Sequence, residues 1–341
     1  MTSRALLYCA GGGLGDSLVA SVVARALHEK FDRVDALTLP GHRSTLERVP
    51  DVDEVLVDDG GDETRLAADL QDRGYVASVV TWATSRTARV PQLAKIPLRV
   101  GQARRLYSFR FTKRVTVRSE LGDVTTPWAE ILLDYARALG CDTPDPAPRF
   151  VPTAGDGREA ERVVREALDG REFMLLHPVN AIATERGFWP VQGWAALASA
   201  LARRFDTLVA LSGTEADETI VSEILARAGN PSVRSVAGLT GIGGFGALAQ
   251  RAKGFVGITT GPMHVAAAVG APTVGIFPFQ TDYPERWGPR GARTAVVRAT
   301  YPCRPGETKE TCPDYACVAN LDVEGIAAAT AALIDSEVVR Q

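Results

Sequence analysis

"YCAGGGLGDSLVASVVARALHEKF", residues 8–31, decides the fold. A strand-like run ends in three consecutive glycines, a fourth follows at Gly15, then come Asp16 and an apolar helical stretch. A glycine-rich turn from a strand into a helix opens a Rossmann-type unit. The dinucleotide fingerprint G-x-G-x-x-G starts at Gly11, but its sixth position is Asp16. A carboxylate there would repel a pyrophosphate at the helix N-terminus. The Walker pattern fails as well, because no Gly-Lys-Ser/Thr follows. The loop is therefore permissive backbone rather than a phosphate cradle. Asp16 has two compatible readings. It is a favoured N-cap type, and it is a carboxylate at the C-terminal edge of a parallel sheet, where open α/β folds bind ligands. Helix-end donors would keep it ionised and able to accept a proton. The glycines around it let a substrate approach closely.

Outward from this loop, short β-rich runs alternate with helical ones. "RALLYCA", "RVDALTL", "DEVLV" and "VASVVTW" read as strands, and residues 17–30 and "ETRLAADLQDRGY" as helices. This alternation implies a parallel sheet with helices on both faces. Residues 141–157, "CDTPDPAPRFVPTAGDG", hold four prolines and no helical period, and mark a domain boundary. The alternation then restarts: strand "EFMLLHP", helix "VQGWAALASALARRF", strand "DTLVALSG", helix "EADETIVSEILARAG", helix "IGGFGALAQRA", strand "GFVGI", helix "MHVAAAVG" and strand "PTVGIF". Residues 322–336 form a last helix. The expected plan is α/β: a Rossmann-like domain over 1–150 and a second over 151–341.

Composition narrows the function. With 341 residues, 45% of them hydrophobic, the chain can fill two cores. A net charge of −3 gives no reason to expect nucleic acid as a partner. The longest apolar stretch, "GPMHVAAAVGAPTVGIFPF", is broken by prolines and glycines, and the N-terminal apolar run is short for a secretory signal. A cytoplasmic location is expected. Five scattered cysteines do not make a disulfide framework.

Two further stretches carry chemistry. In "GITTGPMHVAAAVGAPTVGIF", residues 257–277, Thr259, Thr260 and Gly261 turn into a helix whose first turn holds Pro262, Met263 and His264. Free N–H groups, two hydroxyls and His264 would suit a diphosphate, and an ordinary tight turn with a buried histidine is the plainer alternative. In "HPVNAIATERGFWPVQGW", residues 177–194, Asn180, Thr184, Glu185 and Arg186 occupy a loop at the same sheet edge, where Arg186 could neutralise a phosphate. Asp51 and Asp53 have D-x-D spacing, yet they precede a strand, and no metal is expected. Cys303, Cys312 and Cys317 lack a clear fourth ligand for zinc. From Arg99 to Arg114 six basic residues occur with no acid, which reads first as a solvated face and second as contact with an anionic acceptor or membrane surface.

In order along the chain, these motifs resemble glycosyltransferase family 9, the bacterial lipopolysaccharide heptosyltransferases and relatives. "GGGLGDSLVA" resembles the family's N-terminal G-x-G-D loop, "VPDVDEVLV" its Asp-Glu-Val segment, and "RGYVASVVTW", "SRTARV" and "RVG" its middle strands. "FWPVQGWAAL" resembles its Trp-Pro helix start, "LSGTEADETI" its second glycine-containing strand end, and "TTGPMHVAAAVGAPTVGIF" its most specific motif. The late cysteines resemble its C-terminal loop. The resemblance implies a GT-B fold, two Rossmann-like domains facing across a cleft, with the last helix returning to the first domain. It implies inverting, metal-independent transfer of a heptose from ADP-heptose to a glycan, glycolipid or small-molecule acceptor, with no cofactor beyond the donor. Asp16 would be the general base. Asn180, Thr184, Arg186, Thr259, Thr260, Gly261, Pro262, Met263 and His264 would bind the donor, and Gly13, Gly15 and Arg86 the acceptor. Two positions depart from the family pattern: Gly187 stands where a lysine is usual, and Thr259 where an aspartate is usual. An NAD-dependent oxidoreductase, against which the broken fingerprint argues, and a non-catalytic nucleotide-sugar-binding protein are the competing readings.

Overall fold

The computed structural model describes residues 2–179, 189–280, 282–304, 306 and 311–336. The chain divides into two compact units, Met1–Val151 and Pro152–Gln341.

In the first unit the strands are β1 (Arg4–Tyr8), β2 (Arg33–Thr38), β3 (Val55–Val57), β4 (Ala77–Val80), β5 (Leu98–Gln102) and β6 (Lys113–Val115). They form one sheet in the order β3-β2-β1-β4-β5-β6, with every neighbouring pair parallel. Ala5, Leu6, Leu7 and Tyr8 of β1 are fully buried, because helices cover both faces of a parallel sheet. Each such leucine contributes about 1.5–3 kcal/mol by burial. The second unit repeats the plan. Its strands β7 (Phe173–His177), β8 (Leu208–Leu211), β9 (Val233–Ser235), β10 (Phe255–Ile258), β11 (Thr273–Phe277) and β12 (Thr294–Arg298) take the order β12-β11-β10-β7-β8-β9. Read from the opposite edge, this is the same Rossmann order as in the first unit.

That order positions the sites. In the first unit the chain leaves β1 for β2 on one side and later returns to β4 on the other, so the crevice lies beyond the C-terminal ends of β1 and β4. In the second unit the equivalent point lies between β7 and β10.

Two details differ from the sequence reading. Residues 17–30 do not form one helix: Leu14–Ala20 and Val22–Leu27 are separated at Ser21, whose hydroxyl donates to Leu18 O at 2.6 Å and tightens the turn. The proline-rich stretch 141–157 already contains the start of the helix Ala154–Ala167. Thr153 caps it, and Asp156 reaches back to the Thr153 N–H at 2.7 Å. The last helix, Val323–Asp335, packs against the helix Val191–Phe205 and the strands β12 and β11 of the second unit. Its apolar residues Ile326 and Ala327 complete the second core.

Candidate functional site

In the first unit, Gly13 and not Asp16 is the N-cap of the helix Leu14–Ala20. Asp16 sits three residues into it, and its Oδ2 accepts the Gly13 N–H at 2.7 Å. The carboxylate thus folds back over the loop. A Cβ on Gly12 would meet Asp16 Oδ2 at 2.4 Å, and Gly12 has φ +68°. Glycine is required there on both counts. Burial raises the Asp16 pKa above the ordinary aspartate value, although the Gly13 N–H and nearby His42 pull it down. The sequence reading expected helix-end donors to keep this group ionised and able to accept a proton; in setting the direction of the shift, desolvation outweighs those donors. The result is a stronger base than an exposed aspartate.

Two neighbours of Asp16 carry no signal in the sequence. His42 Nδ1 lies 2.9 Å from Ser17 Oγ, and burial lowers the pKa of His42. Trp82, just beyond β4, shares with Asp16, Cys9, Ser17 and Trp128 the lining of a small cavity of about 10 Å³. Of the expected acceptor contacts, Gly13 is exposed, whereas Gly15 is buried within the helix and offers no surface. Arg86 is also engaged elsewhere. It grips the buried Asp58 with Nη2 at 2.6 Å, and its Nη1 donates to Gly61 O at 2.7 Å. Tyr8 donates its hydroxyl to the same carboxylate. Arg86 and Tyr8 thus meet on Asp58 and link the ends of β1 and β3, and the Arg86 side chain stays partly exposed.

In the second unit, Thr260 caps the helix Gly261–Ala268, with Pro262 in its first turn. The Met263 N–H is engaged by Thr260 O at 3.1 Å, and Pro262 has none. Among the described residues the N–H groups of Thr260 and Gly261 are the donors of this turn left without an acceptor, fewer than the sequence suggested, while the Thr260 hydroxyl donates to Ile258 O at 3.3 Å. The Met263 side chain is fully buried over Gly275 and is a core residue, not a donor contact. Thr259 N–H bonds Ile276 O at 3.1 Å and fixes the loop to β11. His264 is buried, and burial drives its pKa down to about 4. It is neutral at pH 7 and acts here as a polar group, not a cation. The same holds for His177 at the end of β7. Its pKa is lowered to about 4, its Nδ1 lies 3.0 Å from Ser212 Oγ, and its ring meets Phe245 edge-on.

Beyond β8 and β9 the same sheet edge opens into a groove of about 580 Å³ lined by Glu159, Arg162, Thr214, Glu215, Gly238 and Thr240. Asp217 is engaged there in capping, accepting Thr214 N–H at 2.7 Å, while Glu215 is free to face a ligand. Gly238, at φ +72°, lets the chain pass close to Glu215. Strands lie about 4.8 Å apart. In the sheet β8 lies two strands from β10, on the far side of β7. The signal for Glu215 was present in the "LSGTEADE" strand end, since an acid there can bind ribose hydroxyls.

Asn180, Thr184, Glu185, Arg186 and Gly187 lie outside the described residues. Asp51 pairs with Arg25 at 2.8 Å, and Asp53 accepts the Val34 N–H at 2.7 Å, so the D-x-D carboxylates are structural. Within the basic stretch, Arg99 donates to Arg110 O at 2.9 Å, Arg105 pairs with Glu120 at 2.7 Å, Arg110 bonds Gln92 at 2.9 Å, and Lys113 donates to Ala138 O at 2.7 Å. Arg104 and Arg114 remain on the surface. Cys9, Cys141, Cys312 and Cys317 form no disulfide among the described residues.

Comparison with known proteins adds the family. Residues 64–315 match the model of "Glycosyltransferase family 9 (heptosyltransferase)". The chain is 33% identical over 109 residues to lipopolysaccharide heptosyltransferase 3 of Escherichia coli, an alignment that spans 32% of this chain and 32% of that relative. Its structure resembles a family 9 glycosyl transferase of Veillonella parvula (TM-score 0.81, 16% identity, 98% of both chains). It also resembles the E. coli ADP-heptose lps heptosyltransferase II (TM-score 0.75, 21% identity, 97% of this chain and 99% of that one). The GT-B fold expected above is the fold of these structures.

Proposed function

The chain belongs to glycosyltransferase family 9, and from that premise we propose that it transfers a heptose from ADP-heptose to an acceptor hydroxyl with inversion at the anomeric carbon. One observation carries the reading. A half-buried carboxylate of raised pKa stands at the switch point of one Rossmann unit, and an acid-free helix N-terminus stands at the switch point of the other.

The acceptor oxygen attacks the anomeric carbon. A new C–O bond forms as the bond to the β-phosphate oxygen breaks, and the electron pair leaves with ADP. Asp16 takes the hydroxyl proton. The transition state has oxocarbenium character, by analogy with glycoside hydrolysis. Charge growing on the diphosphate is met by the Thr260 and Gly261 N–H groups and the helix dipole. Thr259 lies beside the diphosphate end, and Asn180, Thr184 and Arg186 belong to the same donor site in this reading. Glu215 receives the ribose hydroxyls in the groove beyond β8. ADP-heptose as donor and a lipopolysaccharide-like glycan as acceptor are carried over from the named E. coli relatives.

A thermal-shift screen of ADP, UDP and GDP sugars tests the donor, since ligand binding stabilises by RT ln(1 + [L]/Kd). A rise with ADP-heptose alone supports it, and a preference for another nucleotide refutes it. Proton NMR of the product reads inversion directly.

Membrane-face contact is a second part of the proposal. Among the described residues no helix is long and apolar enough to cross a membrane. Leu106 is 98% exposed and Phe109 62% exposed, beside the surface residues Arg104 and Arg114. An apolar tip with a basic rim suits an anionic bilayer, where a glycolipid acceptor would reside.

A further inference from the structure

Trp82 differs from two of the other tryptophans of this protein. Trp189 and Trp194 are almost fully buried and stack edge-on in the second core, with centroids 4.8 Å apart. Trp82 is 41% exposed at the C-terminal end of β4. Its inner face rests on the backbone of Gly11, where a Cβ would fall 2.0 Å from the indole. The adjacent glycine, Gly12, supports the Asp16 carboxylate in the same way, at 2.4 Å. Consecutive Cα atoms are about 3.8 Å apart, so the ring and the carboxylate stand side by side on one two-residue shelf. Both line the same small cavity.

The ring is also held rigidly. Thr81 N–H bonds Tyr8 O at 3.1 Å, the Thr87 hydroxyl donates to Trp82 O at 2.9 Å, and Tyr107 donates its hydroxyl to Ala83 O. Backbone is thus pinned on both sides of an indole whose outer face is open and whose N–H meets no acceptor among the described residues. A residue serving only to fill the core would be covered, as Trp189 and Trp194 are.

We propose that the open face of Trp82 is a platform on which a sugar ring of the acceptor stacks, presenting its hydroxyl to Asp16. The inference rests on the reading of the chain as a sugar transferase and adds the acceptor subsite to it. The axial C–H groups of a pyranose carry partial positive charge and an apolar surface, and the indole face carries the negative lobe of its quadrupole. Stacking fixes the ring plane while leaving rotation about the stacking axis. The Nε1–H then supplies the one directional contact that selects which hydroxyl faces the base. Because the platform is already ordered, little freedom is lost on binding.

Saturation-transfer NMR tests this with methyl mannopyranoside and methyl glucopyranoside as probes and glycerol as a control without a ring. It is run on the wild-type chain, Trp82→Phe and Trp82→Ala, with ADP affinity measured on each as the check on folding. The expected result is saturation of ring C–H protons in the wild type, a few-fold weaker binding in Trp82→Phe, and at least about tenfold weaker binding in Trp82→Ala. ADP affinity should be unchanged throughout. Sugar binding that survives Trp82→Ala, or no saturation of ring protons in the wild type, overturns the proposal. Absence of ADP binding in the wild type would strike the transferase reading instead, while ring saturation that depends on Trp82 would still support the platform.

Discussion

Two loops of this protein share one architecture and carry opposite chemistry. Each follows a central strand of a parallel sheet, turns through glycine and enters a short helix at the switch point of its unit. The loop after β1 puts a carboxylate into the first helical turn and partly desolvates it. The loop after β10 has no acidic group in its first turn, and its one titratable residue, His264, is neutral by burial. A helix N-terminus favours negative charge in both. In the first the protein supplies that charge itself, and what remains is a base. In the second the position is left for a ligand's charge. On the proposed reading, the same fold element becomes a proton acceptor or an anion site according to whether one side chain occupies it.

The comparison can be broken most severely at Asp16. Asp16→Asn removes the base and keeps the shape, so transfer should fall by about 10²- to 10⁴-fold, roughly 3–5 kcal/mol of barrier. Single-turnover kinetics at saturating donor reads it, and near-normal turnover would remove Asp16 from the mechanism.

Acid should act on the two regions with opposite sign. His177 and His264 have folded pKa values near 4, against about 6.5 unfolded. The unfolded chain takes up those protons first. Their share of stability is full above about pH 6.5 and disappears as pH falls toward 4, roughly 2–3 kcal/mol each. Asp16 runs the other way. Its raised folded pKa means that its contribution grows as pH falls through that value. Denaturant unfolding of the wild type and of His177→Gln/His264→Gln at pH 7 and pH 4.5 checks this, with the double variant losing less stability on acidification. Equal losses would show that neither ring is buried neutral.

A carboxylate placed in the second loop sharpens the contrast. Gly261→Asp imitates the first loop and should weaken ADP binding about tenfold, within the range of a charge at a helix terminus. Calorimetric titration measures it, and unchanged affinity would move the diphosphate away from this turn. The smallest effect is expected at the surface. Leu106→Ser with Arg104→Ser should reduce co-sedimentation with vesicles containing phosphatidylglycerol a few-fold, at about 1 kcal/mol per basic residue. Activity on a soluble acceptor should be unaffected.

Much of this was legible in the sequence because parallel strands buried on both faces are continuous apolar runs. "ALLY", "FMLLH" and "TVGIF" announce the sheet centres. Two edges were silent: β6, with Lys113 and Arg114, and β9, with Arg234, are three residues long and charged, and only pairing with a neighbour makes them strands. The chemistry of Asp16 was visible as a broken fingerprint, but its place was not. Its step from N-cap to third residue depends on where Gly13 leaves the extended region. Arg86 looked like a ligand group because sequence shows a charge and not its partner, and Asp58, twenty-eight positions away, is that partner. Trp82 went unread for the converse reason. An aromatic at a strand end looks like core until the glycine beneath it shows that one face is covered and the other open.

The division of labour between the two loops is tested most directly by titrating ADP calorimetrically into the Asp16→Asn protein. The account predicts a Kd within about twofold of the wild type, in a variant whose transfer rate has collapsed. A loss of ADP affinity as large as the loss of transfer would place Asp16 on the nucleotide and contradict the assignment of proton and phosphate to separate loops.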